Sequence, residues 1–193
     1  MSGVTSARAM LGEVPVALIG LRGAGKSAVG RALAAVLHWD FVDTDERVEQ
    51  RAGKSIAAIF AENGEAYFRE LESAVLRDVL TPRRPCVLSL GGGAILREEN
   101  RDLLQATCRV VLLTAPAQVL AARIAADGAT AAQRPALTSC DSLVEELQTL
   151  WRRREQHYHA VAHLQCNTEG RTVAEIVAEI MDALTNTRSD ASR

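Results

Sequence analysis

The segment GLRGAGKS at 20–27 fits the pattern GxxxxGK[ST]. In that pattern glycines let backbone amides curl around a polyphosphate, a lysine offers a point charge to the outer phosphates, and a serine reaches a magnesium ion. The apolar run VALI precedes it and SAVGRALAAVL follows, so strand, loop and helix come in the required order, and the helix N-terminus adds partial positive charge. Gly23, Ala24, Gly25, Lys26, Ser27 and Ala28 are the expected nucleotide contacts, and the expected ligand is a purine nucleoside triphosphate. A glycine-rich turn without a ligand is the plain alternative.

Carboxylates gather in FVDTDE, where Asp43 and Asp45 follow a short apolar run. At the C-terminal end of a parallel strand they would lie beside the phosphate loop. One could support the magnesium shell while the other accepts a hydroxyl proton as a phosphoryl group arrives. Either could instead cap the helix that begins near Glu46. The next apolar run, CVLSL, continues into Gly91, Gly92 and Gly93 and not into an aspartate, and no NKxD guanine motif occurs. That pattern disfavours a hydrolytic nucleotide switch and favours transfer to an acceptor.

Three arginines complete the chemistry. Arg69 lies three residues before Glu72, so an intrahelical ion pair of about 0.2 to 0.5 kcal/mol accounts for it by spacing alone. Leu143, Leu147, Leu150, Arg154 and Tyr158 share one helical stripe, which places Arg154 partly inside, where its charge needs a protein carboxylate or an anionic ligand. Arg134 follows the small-residue stretch AADGATAAQ and precedes Pro135. It is either an exposed loop charge or a lid arginine that closes on the phosphates and helps exclude water.

The elements that must position these groups alternate. Short β-branched runs at 16–19, 41–42, 87–90, 110–113 and 163–166 read as strands. Helical periodicity covers 27–37 and 68–79, with further helices expected over 98–104, 116–125, 143–158 and 172–184. The result is an α/β fold with a parallel sheet. With 193 residues, 48% hydrophobic, one domain is expected over 14–185, with a lid near 126–137, an N-terminal extension at 1–13 and a tail at 186–193, both frayed. Lys plus Arg number 22 against 24 Asp plus Glu, a net charge of −2, which argues against a large nucleic-acid surface. No apolar run would span a bilayer, no secretory signal opens the chain, and Cys86, Cys108, Cys140 and Cys166 are too scattered for a metal cage or a CxxC redox motif. A soluble cytoplasmic protein with buried thiols is the expectation.

Together GLRGAGKS, DTDE, GKSIAAIF, GEAYFRELE, LGGGAIL, QRPAL and RREQHY closely resemble the shikimate kinases, over 16–184. The resemblance implies a P-loop, nucleoside-monophosphate-kinase-like three-layer fold with a five-stranded parallel sheet and a mobile lid. It implies transfer of the ATP γ-phosphate to the 3-hydroxyl of shikimate on the route to chorismate and the aromatic amino acids. By motif position, Asp45 would bind the ring hydroxyls and act as base, Ser27 and Asp43 would hold one Mg2+ per subunit, and Arg69 and Arg154 would grip the carboxylate. Gly91, Gly92 and Gly93 would let backbone approach the substrate, while Lys26 and Arg134 would act on the phosphates as catalytic groups. The implied partners are shikimate and ATP, with neither nucleic acid nor membrane, and the chain is expected to be a monomer. Two features depart from the family's usual pattern: Arg22 stands where smaller or apolar residues are commoner, and Asn167 replaces a frequent aspartate. A related small-molecule kinase would share the loop without the Arg69 and Arg154 clamp, and a kinase-like sensor module would need an attached DNA-binding segment, for which 1–13 is too short.

Overall fold

A computed structural model describes residues 14–81, 84–127 and 142–186. All but the first two residues of the lid expected at 126–137, Arg134 within it, Cys140, the N-terminal extension and almost all of the tail lie outside the described residues.

Five strands form one parallel sheet in the order β2-β3-β1-β4-β5, with β1 at Val16–Ile19, β2 at Asp40–Asp43, β3 at Cys86–Ser89, β4 at Arg109–Thr114 and β5 at Leu164–Asn167. Every residue of β1 is buried, as are Val110 to Leu113 of β4, so both faces of the sheet centre are covered and the fold has three layers. That is why these strands read as unbroken apolar runs and not as alternating ones. The expected strands are all present, displaced at their ends by a residue or two.

The helices are α1 at Lys26–Leu37, α2 at Thr44–Ala52, α3 at Ile56–Leu80, α4 at Glu98–Thr107, α5 at Ala117–Ala126, α6 at Leu143–Val161 and α7 at Val173–Asn186. A 3-10 turn at Ala94–Leu96 precedes α4. Helix α2 was legible only as a start near Glu46, and α3 begins twelve residues before the expected 68, at Ile56. Ser55 caps α3 by accepting from the Ala58 amide, and Gly64, with φ 80, breaks it into two pieces within one continuous run. A second apolar cluster of Val48, Ile56, Ile59, Phe68 and Val75 joins α2 to α3, so this pair packs as a small unit beside the main core.

The register positions the chemistry. Leu18 pairs with Ser89 and Ser89 with Asp43, so the C-terminal ends of β1, β3 and β2 form one line across the sheet. The phosphate loop leaves that line two residues after Leu18. Among the described residues no helix is long and apolar enough to cross a membrane.

Candidate active site

Gly20 opens the loop with φ 138, and a Cβ there would collide with the Leu113 carbonyl of β4, so only glycine fits. The Lys26 ammonium donates to the Gly20 and Leu21 carbonyls, each at 3.0 Å. Ser27, one residue into α1, donates through Oγ to Asp43 Oδ2 at 2.8 Å, and its Oγ lies 3.2 Å from Ser89 Oγ. Three oxygen-bearing side chains from α1, β2 and β3 thus meet beneath the loop.

Asp43 is a helix cap, one of the readings its sequence position offered, and it also holds Ser27. Its Oδ1 accepts the Asp45 amide at 3.0 Å as the α2 cap, while Oδ2 holds Ser27. Asp45, in the first turn of α2, is thereby aimed into the same cavity of about 590 Å³ that Lys26, Ser27, Asp43, Ser89 and Gly92 line. Thr44 ties this turn to β3: its buried hydroxyl donates to Ser89 O at 3.3 Å and accepts from the Gly91 amide at 3.2 Å.

The three glycines form the floor on which the arginines converge. A Cβ on Gly91 would come within 2.7 Å of Asp45 Oδ1 and 2.8 Å of Glu72 Oε1, and one on Gly93 would fall into the Arg69 guanidinium. On Gly92 it would stand 3.6 Å from both Arg154 Nη1 and Tyr158 Oη. Arg154 Nη1 donates to Gly92 O at 3.1 Å and Tyr158 donates to the same oxygen at 2.7 Å. Asp45, Arg69 and Arg154, from three different helices, are therefore brought to one three-residue segment.

The Arg69 ion pair expected from spacing is present, but it is not a solvated one. Nη1 donates to Glu72 Oε2 at 2.8 Å, with Glu72 only 2% exposed, and Glu65 accepts from Nη2 at 3.0 Å. Burial opposes the Arg69 charge, yet the Glu72 and Glu65 carboxylates outweigh it and raise its pKa above the ordinary value. Arg154 is 8% exposed, as its stripe predicts; of the two expected partners, a protein carboxylate is not found among the described residues, where Arg154 forms no ion pair and rests on a backbone carbonyl. Burial pushes the Tyr158 phenol up to about 12, so it stays a neutral donor.

Glu72, Ser89, Tyr158 and Arg123 escaped the sequence reading as site residues. Tyr158 was on the Arg154 stripe, one turn on, and Ser89 directly precedes Leu90 and the glycines; both positions carried a signal. Arg123 had none: its role, donating to Gly23 O at 3.3 Å and to Thr168 at 2.7 and 2.9 Å, needs the tertiary fold. Among the described residues no cluster of three His, Cys, Asp or Glu could hold a metal, and Cys86, Cys108 and Cys166 are buried free thiols.

A parallel sheet of this strand order, with a phosphate loop leaving its central strand and a guanidinium-lined pocket beside the loop's mouth, defines a P-loop kinase of the nucleoside-monophosphate-kinase-like class. The shikimate kinase family model matches residues 22–185, and the chain belongs to that family. It is 44% identical to a shikimate kinase of Rhodopirellula baltica, over 86% of this chain and 88% of the relative. It is 41% identical to shikimate kinase 2 of Dickeya chrysanthemi, over 88% and 95%. The solved shikimate kinase from Acinetobacter baumannii in complex with shikimate superposes with a TM-score of 0.84 at 31% identity, covering 94% of this chain and 98% of that one.

Proposed function

We propose that the protein transfers the γ-phosphate of ATP to the 3-hydroxyl of shikimate, forming shikimate 3-phosphate and ADP. The observation that carries this reading is the convergence of Asp45, Arg69 and Arg154 on Gly91, Gly92 and Gly93. Shikimate has a carboxylate at one end of its ring and hydroxyls at the other, so its site must set guanidinium forks opposite a proton acceptor.

In this reading the substrate carboxylate docks on Arg69 and Arg154, whose positions are fixed by Glu72 and by the Gly92 carbonyl. That anchoring turns the ring hydroxyls toward Asp45, which accepts the 3-hydroxyl proton as the new O–P bond forms and the bond to the ADP oxygen breaks. Lys26 neutralises charge on the transferring group, and the loop amides hold the phosphates. Ser27 and Asp43 would hold Mg2+. The fit is chemical: hydroxyl and carboxylate oxygens 2.8 Å apart at the loop suit a hard cation that keeps water and phosphate as its other ligands. Bound there, the ion would draw charge from the phosphate oxygens. Arg134 belongs to the proposal as the lid arginine on the phosphates.

The test is acceptor-dependent ADP release with ATP and magnesium. Shikimate should give turnover, while gluconate and nucleoside monophosphates should give none above background; turnover with either in place of shikimate would overturn the assignment.

A further inference from the structure

Arg22 departs from the usual phosphate-loop pattern, and the structure places it where that departure has a consequence. Leu21, Arg22, Gly23 and Ala24 make a tight turn closed by the Ala24 amide on Leu21 O at 3.3 Å, with φ 80 at Gly23 as a type II turn requires at its third residue. Arg22 is the corner of that turn. Leu21 beside it is buried, while Arg22 is half-buried and lines the same cavity as Lys26 and Ser27.

The surrounding charges are arranged around it. Lys26 sits on the carbonyls of Gly20 and Leu21, just before Arg22, and Arg123 donates to the carbonyl of Gly23, just after it. Three cations therefore ring one short loop, and Asp127 is the acid on the same wall of the cavity. The other acids lining the cavity, Asp43, Asp45, Glu46 and Glu49, all belong to β2 and α2. A magnesium-bound triphosphate still carries net negative charge, and cations lining a phosphate loop attract it.

We infer that the Arg22 side chain is a nucleotide-binding group of this chain, adding a guanidinium contact to the triphosphate beyond those the loop backbone and Lys26 provide. The inference deepens the proposed function, since it assumes that a nucleoside triphosphate occupies this cavity, but it does not depend on which acceptor is phosphorylated.

The experiment is calorimetric binding of magnesium and a non-hydrolysable ATP analogue to the wild-type chain, Arg22→Met and Arg22→Lys, without acceptor. One lost charge-assisted contact should weaken Arg22→Met by about ten-fold, and Arg22→Lys should recover part of that loss. The difference between wild type and Arg22→Met should narrow as salt is raised. Shikimate affinity should stay at its wild-type value, because Arg22 is not among the groups that converge on Gly91, Gly92 and Gly93. A loss smaller than five-fold at low salt, or an equal loss of shikimate affinity, overturns the inference. Absence of turnover with shikimate would defeat the proposed reaction and leave this binding result untouched.

Discussion

Arg154→Met and Arg69→Met should fail in different ways, although both remove a guanidinium that meets the Gly91–Gly93 segment. Arg154 is 8% exposed, forms no ion pair among the described residues, and gives one hydrogen bond to Gly92 O. Its charge is thus compensated mainly when a carboxylate arrives, and losing one partner of such a desolvated pair costs roughly 2 to 5 kcal/mol, or about 30- to 4,000-fold in shikimate affinity. The fold loses only one hydrogen bond to a carbonyl, about 1 kcal/mol, which shifts the thermal midpoint by roughly 2 to 4 °C. Arg69 instead neutralises Glu72, which is 2% exposed. Removing that guanidinium from the buried pair should cost roughly 3 to 5 kcal/mol of stability, a fall of about 6 to 20 °C. Titration calorimetry with shikimate and thermal unfolding read out both effects. Arg154→Met binding shikimate within three-fold of wild type would refute the reasoning, as would an Arg69→Met midpoint equal to that of Arg154→Met.

Other expectations rest on separate contacts. Lys26→Met should lower kcat by about a hundred-fold or more while shikimate binding holds, because the lost charge acts on the transferring group; single-turnover kinetics separate the two. Gly93→Ala should weaken shikimate binding more than nucleotide binding, since its methyl would occupy the Arg69 guanidinium position, and paired titrations check this. His163 Nδ1 accepts the Val110 amide at 3.1 Å, and burial, with the nearby Arg109 charge, lowers its pKa below the ordinary value of 6.5. The unfolded chain therefore binds more protons here, and stability should decline as pH falls from about 6.5 through the lower folded pKa; urea midpoints across that range, with His163→Asn as the control without this titration, measure the slope.

Local pattern carried most of the fold and part of the site. GLRGAGKS declares itself because a phosphate loop is contiguous, and β1 and β4 do so because burial on both faces leaves continuous apolar runs. Arg154 was placed inside by its stripe alone, yet its partner was not foreseeable, since Gly92 O is 62 residues away and a backbone acceptor leaves no mark in side-chain spacing. The Arg69–Glu72 pair shows the reverse. Spacing named the partner but assigned a surface energy, because whether α3 turns that face inward depends on its packing against the glycine segment. Arg123 became visible only once the α5 position was known. The break at Gly64 was hidden because the segments on both sides are helical.

The most direct measurement compares kcat/KM for shikimate and for its uncharged methyl ester, with ATP and magnesium in excess. If two guanidiniums hold the acid end while Asp45 meets the hydroxyl, the ester should be poorer by about a hundred-fold or more, with the gap collapsing in Arg154→Met. Equal efficiency for acid and ester in the wild-type protein would contradict the account.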